Sequence, residues 1–210
     1  AVGTGYDATS SQANLLTLDP ATGSILTTFA LGSPMASNKT SKATAVDRDF
    51  DGYDDVLYLG DLAGNIWRVD LTTYPWTVTK LINCAMPVQS APIVTLDALG
   101  RAMVFFGTGQ YITASDPSVT TMQAIYGVTD DNSGATVALT DLVDQTSTFH
   151  ALTTGKKGWF MDLTQQPGER VTHSPVLIAG TLYVTSYMPN SSPCTGGGQS
   201  WLYTLDFKDG

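Results

Sequence analysis

One pattern recurs along this chain and restricts its fold more than any other feature: an apolar strand, a glycine-containing turn, and a second strand closing on aspartate. Val56–Gly60 runs into the turn Asp61–Asn65 and returns as Ile66–Asp70. Asn14–Asp19, Pro20–Gly23 and Ser24–Leu26 repeat the scheme near one end, and Ser200–Asp206 closes the same way near the other. A second element precedes two further apolar runs: Ser90–Val94 before Ala102–Gly107, and Ser174–Ile178 before Thr181–Thr185. Short runs of β-branched and aromatic residues bounded by glycine read as strands. No window sustains the 3.6-residue period of a helix.

Units of roughly 40–50 residues with about four strands each are the signature of propeller blades. Approximate units fall at 1–42, 43–87, 88–155 and 156–210, the third with an irregular insertion around 113–121. The expectation is therefore all-β, a β-propeller with a partial set of about four blades. Residues 1–210 are expected to form a single propeller-like domain, read as a fragment of a longer chain. A two-sheet β-sandwich is the structural alternative, since strand patterning alone does not exclude it.

Composition agrees. Of 210 residues, 42% are hydrophobic and only 14% charged, enough apolar material for a sizeable core. The acids are eighteen aspartates and one glutamate, Glu169. Aspartate favours turns and hard-cation sites, whereas glutamate favours helices. A net charge of -9 argues against a nucleic-acid partner, which needs a basic footprint. No apolar run approaches the roughly 20 residues of a membrane span. Ala1–Tyr6 lacks the basic and apolar regions of a signal peptide and reads as a strand entering a turn. The two cysteines, Cys84 and Cys194, stand outside any C-x-x-C pair. A disulfide in an exported protein is the favoured reading; two unpaired thiols in a reducing compartment are the alternative.

The stretch Asp47-Arg48-Asp49-Phe50-Asp51-Gly52-Tyr53-Asp54-Asp55 carries the chemistry. With Asp47 as position 1, Asp49, Asp51, Tyr53 and Asp55 occupy positions 3, 5, 7 and 9 of a calcium loop. Calcium takes six to eight oxygens, and alternate acids in a tight loop turn inward to supply them. Position 7 needs only a backbone carbonyl, so Tyr53 is acceptable there, and Gly52 permits the sharp bend. Without a cation, four converging carboxylates repel one another. The bland alternative is an acidic surface turn with no ion. Position 12, the bidentate glutamate of an EF-hand, is here Tyr58, so Asp55 is the natural closing ligand. Asp54 points the other way. Magnesium fits less well, because it demands compact octahedral geometry.

Other candidates read more plainly. His150 and His173 lack a second ligand at i+4 and any nucleophile motif. Lys156-Lys157 beside Gly158-Trp159 is a basic spot best read as a solvated turn, and Gly107–Tyr111 lacks the ending of a phosphate loop. Trp67, Trp76, Trp159 and Trp201 read as packing aromatics. Asn38 and Asn190 open glycosylation sequons that matter only in a eukaryotic secretory context.

Ala43–Asp55 and the following Val56–Leu71, which contains GDxxGNxWRxD, resemble the C-terminal β-propeller of the PilY1/PilC family of type IV pilus biogenesis and tip-adhesin proteins. Gly158–Leu163, Gly168–Val171 and Pro193–Leu202 match the same family. The resemblance runs from about residue 43 to the end, with 1–42 as an incomplete blade of the quinoprotein-like type. It implies an exported bacterial protein at the outer membrane, cell surface or pilus tip, with the pilus and its minor pilins as partners and host or surface receptors as further candidates. It also implies Ca²⁺ held by Asp47, Asp49, Asp51, the Tyr53 carbonyl and Asp55, influencing pilus extension and retraction, twitching motility and adhesion. The family's adhesive region and an Arg-Gly-Asp triplet are not in this sequence. A non-enzymatic calcium-dependent module is the first expectation. The alternatives are a quinoprotein-like (PQQ-type) dehydrogenase propeller, for which no adjacent cysteine pair or base stands out, and a scaffold that calcium merely stabilises.

Overall fold

The computed structural model describes residues 14–30, 40–190 and 197–210, together with the backbone of 2–3. Among them the chain forms four sheets, none closed on itself, built in chain order. The first holds β1 (Val2–Gly3), β2 (Asn14–Leu18) and β3 (Ile25–Ala30); the second holds β4 (Thr44–Val46), β5 (Val56–Gly60), β6 (Asn65–Asp70) and β7 (Thr77–Asn83). The third holds β8 (Ile93–Leu96), β9 (Ala102–Gly107), β10 (Ala124–Asp130), β11 (Val143–Asp144) and β12 (Gly158–Asp162). The fourth holds β13 (Val176–Ile178), β14 (Thr181–Pro189) and β15 (Gly198–Asp206). All pairings are antiparallel except β11 with β12.

The all-β expectation holds, and one unit boundary moves. Gly158–Asp162, assigned by its sequence to the fourth unit, pairs with β10 through Ala124↔Asp162 to Val128↔Gly158 and belongs to the third sheet. The long excursion 131–157 hid that pairing, because a local strand pattern carries no record of a partner 30 residues back. Gly158 has φ +136°, and a Cβ there would run into the Gly127 carbonyl oxygen. Only glycine lets these strands approach so closely.

Strand alternation decides how the sheets stack. Along β5, Val56 and Tyr58 pack with Val104, Phe106, Tyr126 and Val128 of the third sheet. Leu57 and Leu59 face the other way, into a cluster with Leu15 and Phe29 of the first. Along β9, Val104 and Phe106 face the second sheet, while Met103 and Phe105 join Leu182 and Val184 of the fourth. The period-2 geometry of a strand thus sends successive side chains into two different cores. This explains why β5, β9 and β10 are buried at every position instead of alternating apolar and polar. Each buried Leu, Val or Phe contributes about 1.5–3 kcal/mol relative to exposure.

The turns are built by aspartate. Asp61 is fully buried, and its carboxylate accepts from the Ala63 and Asn65 N–H groups, Asn65 Nδ2 and, at 2.7 Å, Trp67 Nε1. The GDxxGNxW stretch is therefore one hydrogen-bonded hairpin that orients its own tryptophan. Trp67 and Trp159 are buried and Trp76 stacks on Phe29 at 4.8 Å, as packing aromatics should.

Candidate metal centre

The acidic loop spans β4 to β5, and its root is held from both sides. The Asp55 N–H donates to the Val46 carbonyl, and the Leu71 N–H donates to the Asp55 carbonyl, both at 2.8 Å. Within the loop, Asp47 accepts from the N–H groups of Phe50 (2.7 Å) and Gly52 (2.9 Å). Asp49 accepts from Asp51 N–H, Asp51 from Tyr53 N–H, and Asp55 from Arg48 N–H. Phe50 and Gly52 take positive φ, +62° and +95°, which folds the backbone back over these carboxylates.

The result is a three-carboxylate cluster. Asp47, Asp49 and Asp55 each offer an oxygen lying within 4.8 Å of the other two. Oxygens on a calcium shell of 2.3–2.6 Å radius can be at most about 5 Å apart, so the spacing fits that cation. Each carboxylate oxygen has two acceptor directions, so accepting an N–H leaves room for a metal. Asp47 and Asp55 are partly buried and Asp49 is exposed. Asp51 does not join the three, and Tyr53 sits in the same turn, 77% exposed. Asp54 is exposed, and both it and Asp55 precede the strand that starts at Val56, so strand alternation does not set its direction.

Behind the loop lies a buried ionic cluster that sequence reasoning missed. Asp130, the last residue of β10, is 3% exposed. It accepts the Tyr58 hydroxyl at 2.6 Å, pairs with Arg68 Nε at 2.8 Å, and has Arg48 Nη2 at 3.8 Å. Arg48 stands between Asp47 and Asp49, yet its side chain leaves the acidic loop and runs to the third sheet. Burial, and then the Asp130 charge, raises the Tyr58 pKa well above the usual phenol range. Asp130 lies 82 residues beyond Arg48, and no local motif links them.

Two more buried hubs follow the same logic. Glu169, the single glutamate, is 1% exposed and accepts the hydroxyls of Ser186 (2.5 Å) and Tyr203 (2.6 Å). Arg170 donates to the carbonyls of Gly168, Gln110, Asp116 and Val119, which organises the insertion noticed around 113–121. His150 and His173 make only local contacts, with Gln145 and Thr172. Cys84 is buried, its thiol directed at the Gly64 and Met86 carbonyls, and burial raises its pKa to about 11. Cys194, the other half of the expected disulfide, lies outside the described residues, as does Asn38.

No helix among the described residues is long and apolar enough to cross a membrane. No family model matches the chain. The chain is 27% identical, over 99% of its length, to a type IV pilus biogenesis factor PilY1 homolog of Xylella fastidiosa, of which it covers 17%. A second protein of that description from Xylella fastidiosa is 26% identical over 98% of the chain, which covers 18% of it. The type IV pilus biogenesis factor PilY1 of Pseudomonas aeruginosa (strain PAK) is 27% identical over 61% of the chain, covering 14% of that protein. The chain thus spans less than a fifth of the length of these relatives. The crystal structure of the Pseudomonas aeruginosa PilY1 C-terminal domain matches all of the chain with a TM-score of 0.83 at 24% identity, over 56% of that domain. Sequence and fold converge: the chain is similar in sequence to PilY1 proteins over nearly its whole length and folds like part of the Pseudomonas aeruginosa PilY1 C-terminal domain.

Proposed function

We propose that this chain is a calcium-binding, propeller-like module of an exported type IV pilus biogenesis protein, acting without catalysis. The four sheets, stacked face to face in chain order, serve as consecutive blades of a partial propeller. Calcium sits in the loop 47–55, held by Asp47, Asp49 and Asp55, with Asp51 and the Tyr53 carbonyl completing its shell. The observation that carries this reading is the convergence of the three carboxylates to within 4.8 Å. Three negative charges in so small a space favour a divalent cation, which neutralises their repulsion and orders the turn. Relatives named as pilus biogenesis factors support the cellular setting, with the pilus and its minor pilins as partners at the bacterial surface. In that setting calcium occupancy biases pilus extension against retraction, and so twitching motility and adhesion.

Calcium titration of the purified chain by calorimetry tests the site. Binding at one site, lost in Asp55→Ala, is expected; unchanged affinity in that variant removes Asp55 from the shell. In cells, the parent protein carrying Asp55→Ala should alter piliation and twitching. Normal motility despite lost calcium binding would leave only a scaffold role. That second reading has its own support, because the Asp55 main chain also ties β4 to the end of β6 through Val46 and Leu71.

A further inference from the structure

On a chain of net charge -9, four of the ten cationic residues gather around one cavity of about 740 Å³ between the third sheet and the segment that follows β15. Its apolar wall includes Met103, Leu152 and Phe207. Arg101, Lys156, Lys157 and Lys208 supply the cations, against two lining carboxylates, Asp97 and Asp209. Their partners separate these cations into two classes. Arg101 is paired with Asp97 and Lys157 with Asp131, so those charges are compensated. The Lys156 ammonium instead donates to the Thr140 and Leu142 carbonyls, and the Lys208 ammonium stands over an aromatic face, 5.6 Å from the Phe207 ring centre. Carbonyls and an aromatic face satisfy an ammonium without cancelling its charge.

We propose that this cavity binds a small organic anion with an apolar body. Its volume falls in the range of about 300–1,000 Å³ typical of small-molecule sites. An apolar wall whose four cations outnumber the carboxylates Asp97, Asp131 and Asp209 selects an amphipathic anion over a neutral hydrophobe or a free inorganic ion. The acidic surface elsewhere repels such a ligand, so the cavity is the favourable place for it. The site is separate from the acidic loop and does not depend on calcium.

Anilinonaphthalene sulfonate, an anionic group on an aromatic body, is the probe, with the uncharged phenylnaphthylamine as its comparison. The folded chain should bind the sulfonate saturably at one site, more weakly as salt rises, and the uncharged probe less tightly. Lys208→Glu, an exposed change, should weaken sulfonate binding roughly tenfold or more. Lys156→Gln should weaken it in the same direction. Lys42→Glu makes the same charge change away from the cavity and should leave binding unaltered. Equal loss in Lys42→Glu and Lys208→Glu would reduce the effect to net charge and overturn the proposal. Absence of saturable binding, or equal affinity for both probes, would overturn it as well. A cooperative thermal transition in each variant guards against dye bound to unfolded chain.

Discussion

The Tyr58 hydroxyl of the second sheet donates to the Asp130 carboxylate of the third at 2.6 Å, across 72 residues of chain. Both groups are buried, and the same carboxylate also takes the Arg68 guanidinium and draws Arg48 away from the acidic loop. A polar hub therefore sits within the otherwise apolar contact between two sheets. Its members hold one relative position of the sheets, because any slip leaves a buried charge uncompensated.

Removing parts of this hub should give graded losses. Tyr58→Phe deletes one donor and should cost about 1–3 kcal/mol. Asp130→Ala takes the carboxylate from Arg48 and leaves Arg68 only its longer pairing with Asp70, at 3.4 Å, and should cost about 3–5 kcal/mol. Urea unfolding followed by tryptophan fluorescence measures both, and a loss below about 0.5 kcal/mol in Asp130→Ala would mean that water replaces the carboxylate freely.

Calcium removal should lower thermal stability. A ligand held only by the folded state at a hundred times its Kd contributes about 2.7 kcal/mol. For a chain of this size that is a shift of roughly 5–10 °C in Tm. Melting in calcium and in excess chelator, for the natural chain and for Asp47→Asn, reads it directly. The variant should melt at the same temperature in both.

Asp116 should mark the acid limb of stability. Burial acts to raise its pKa, but donation from Thr113 N–H, Gln110 Nε2, Ile112 N–H and the Thr113 hydroxyl outweighs burial and holds it at about 2. The folded value lies below the ordinary 3.8, so this stabilisation is present above that pH and is lost as pH falls toward 2. Unfolding free energies at pH 5, 3.5 and 2.5 should converge between the natural chain and Asp116→Asn as pH drops. A difference that stays constant would exclude this group as the cause.

Cys84 should resist alkylation while the chain is folded. Burial raises its thiol to about 11, so at pH 8 almost none is thiolate, and the side chain is shielded as well. Iodoacetamide labelling with site mapping by mass spectrometry should find Cys84 unmodified in buffer and modified in urea. Rapid labelling in buffer would mean that the β7 end opens readily.

The strands, the turns and the acidic loop were legible in the sequence because each is a local affair. Period-2 apolar runs, glycine at turns and aspartate bonding to N–H groups two to four residues away need no distant partner. The loop 47–55 is readable for the same reason, as its carboxylates are gathered by their own backbone. What only the tertiary structure decided is which face of each strand meets which neighbour, and which buried charges find each other. Gly158–Asp162 joined the third sheet instead of the fourth, and Arg48 found Asp130 instead of its acidic neighbours. Such choices are settled by long-range burial, where an uncompensated charge or a misfaced strand costs more than any local preference can supply.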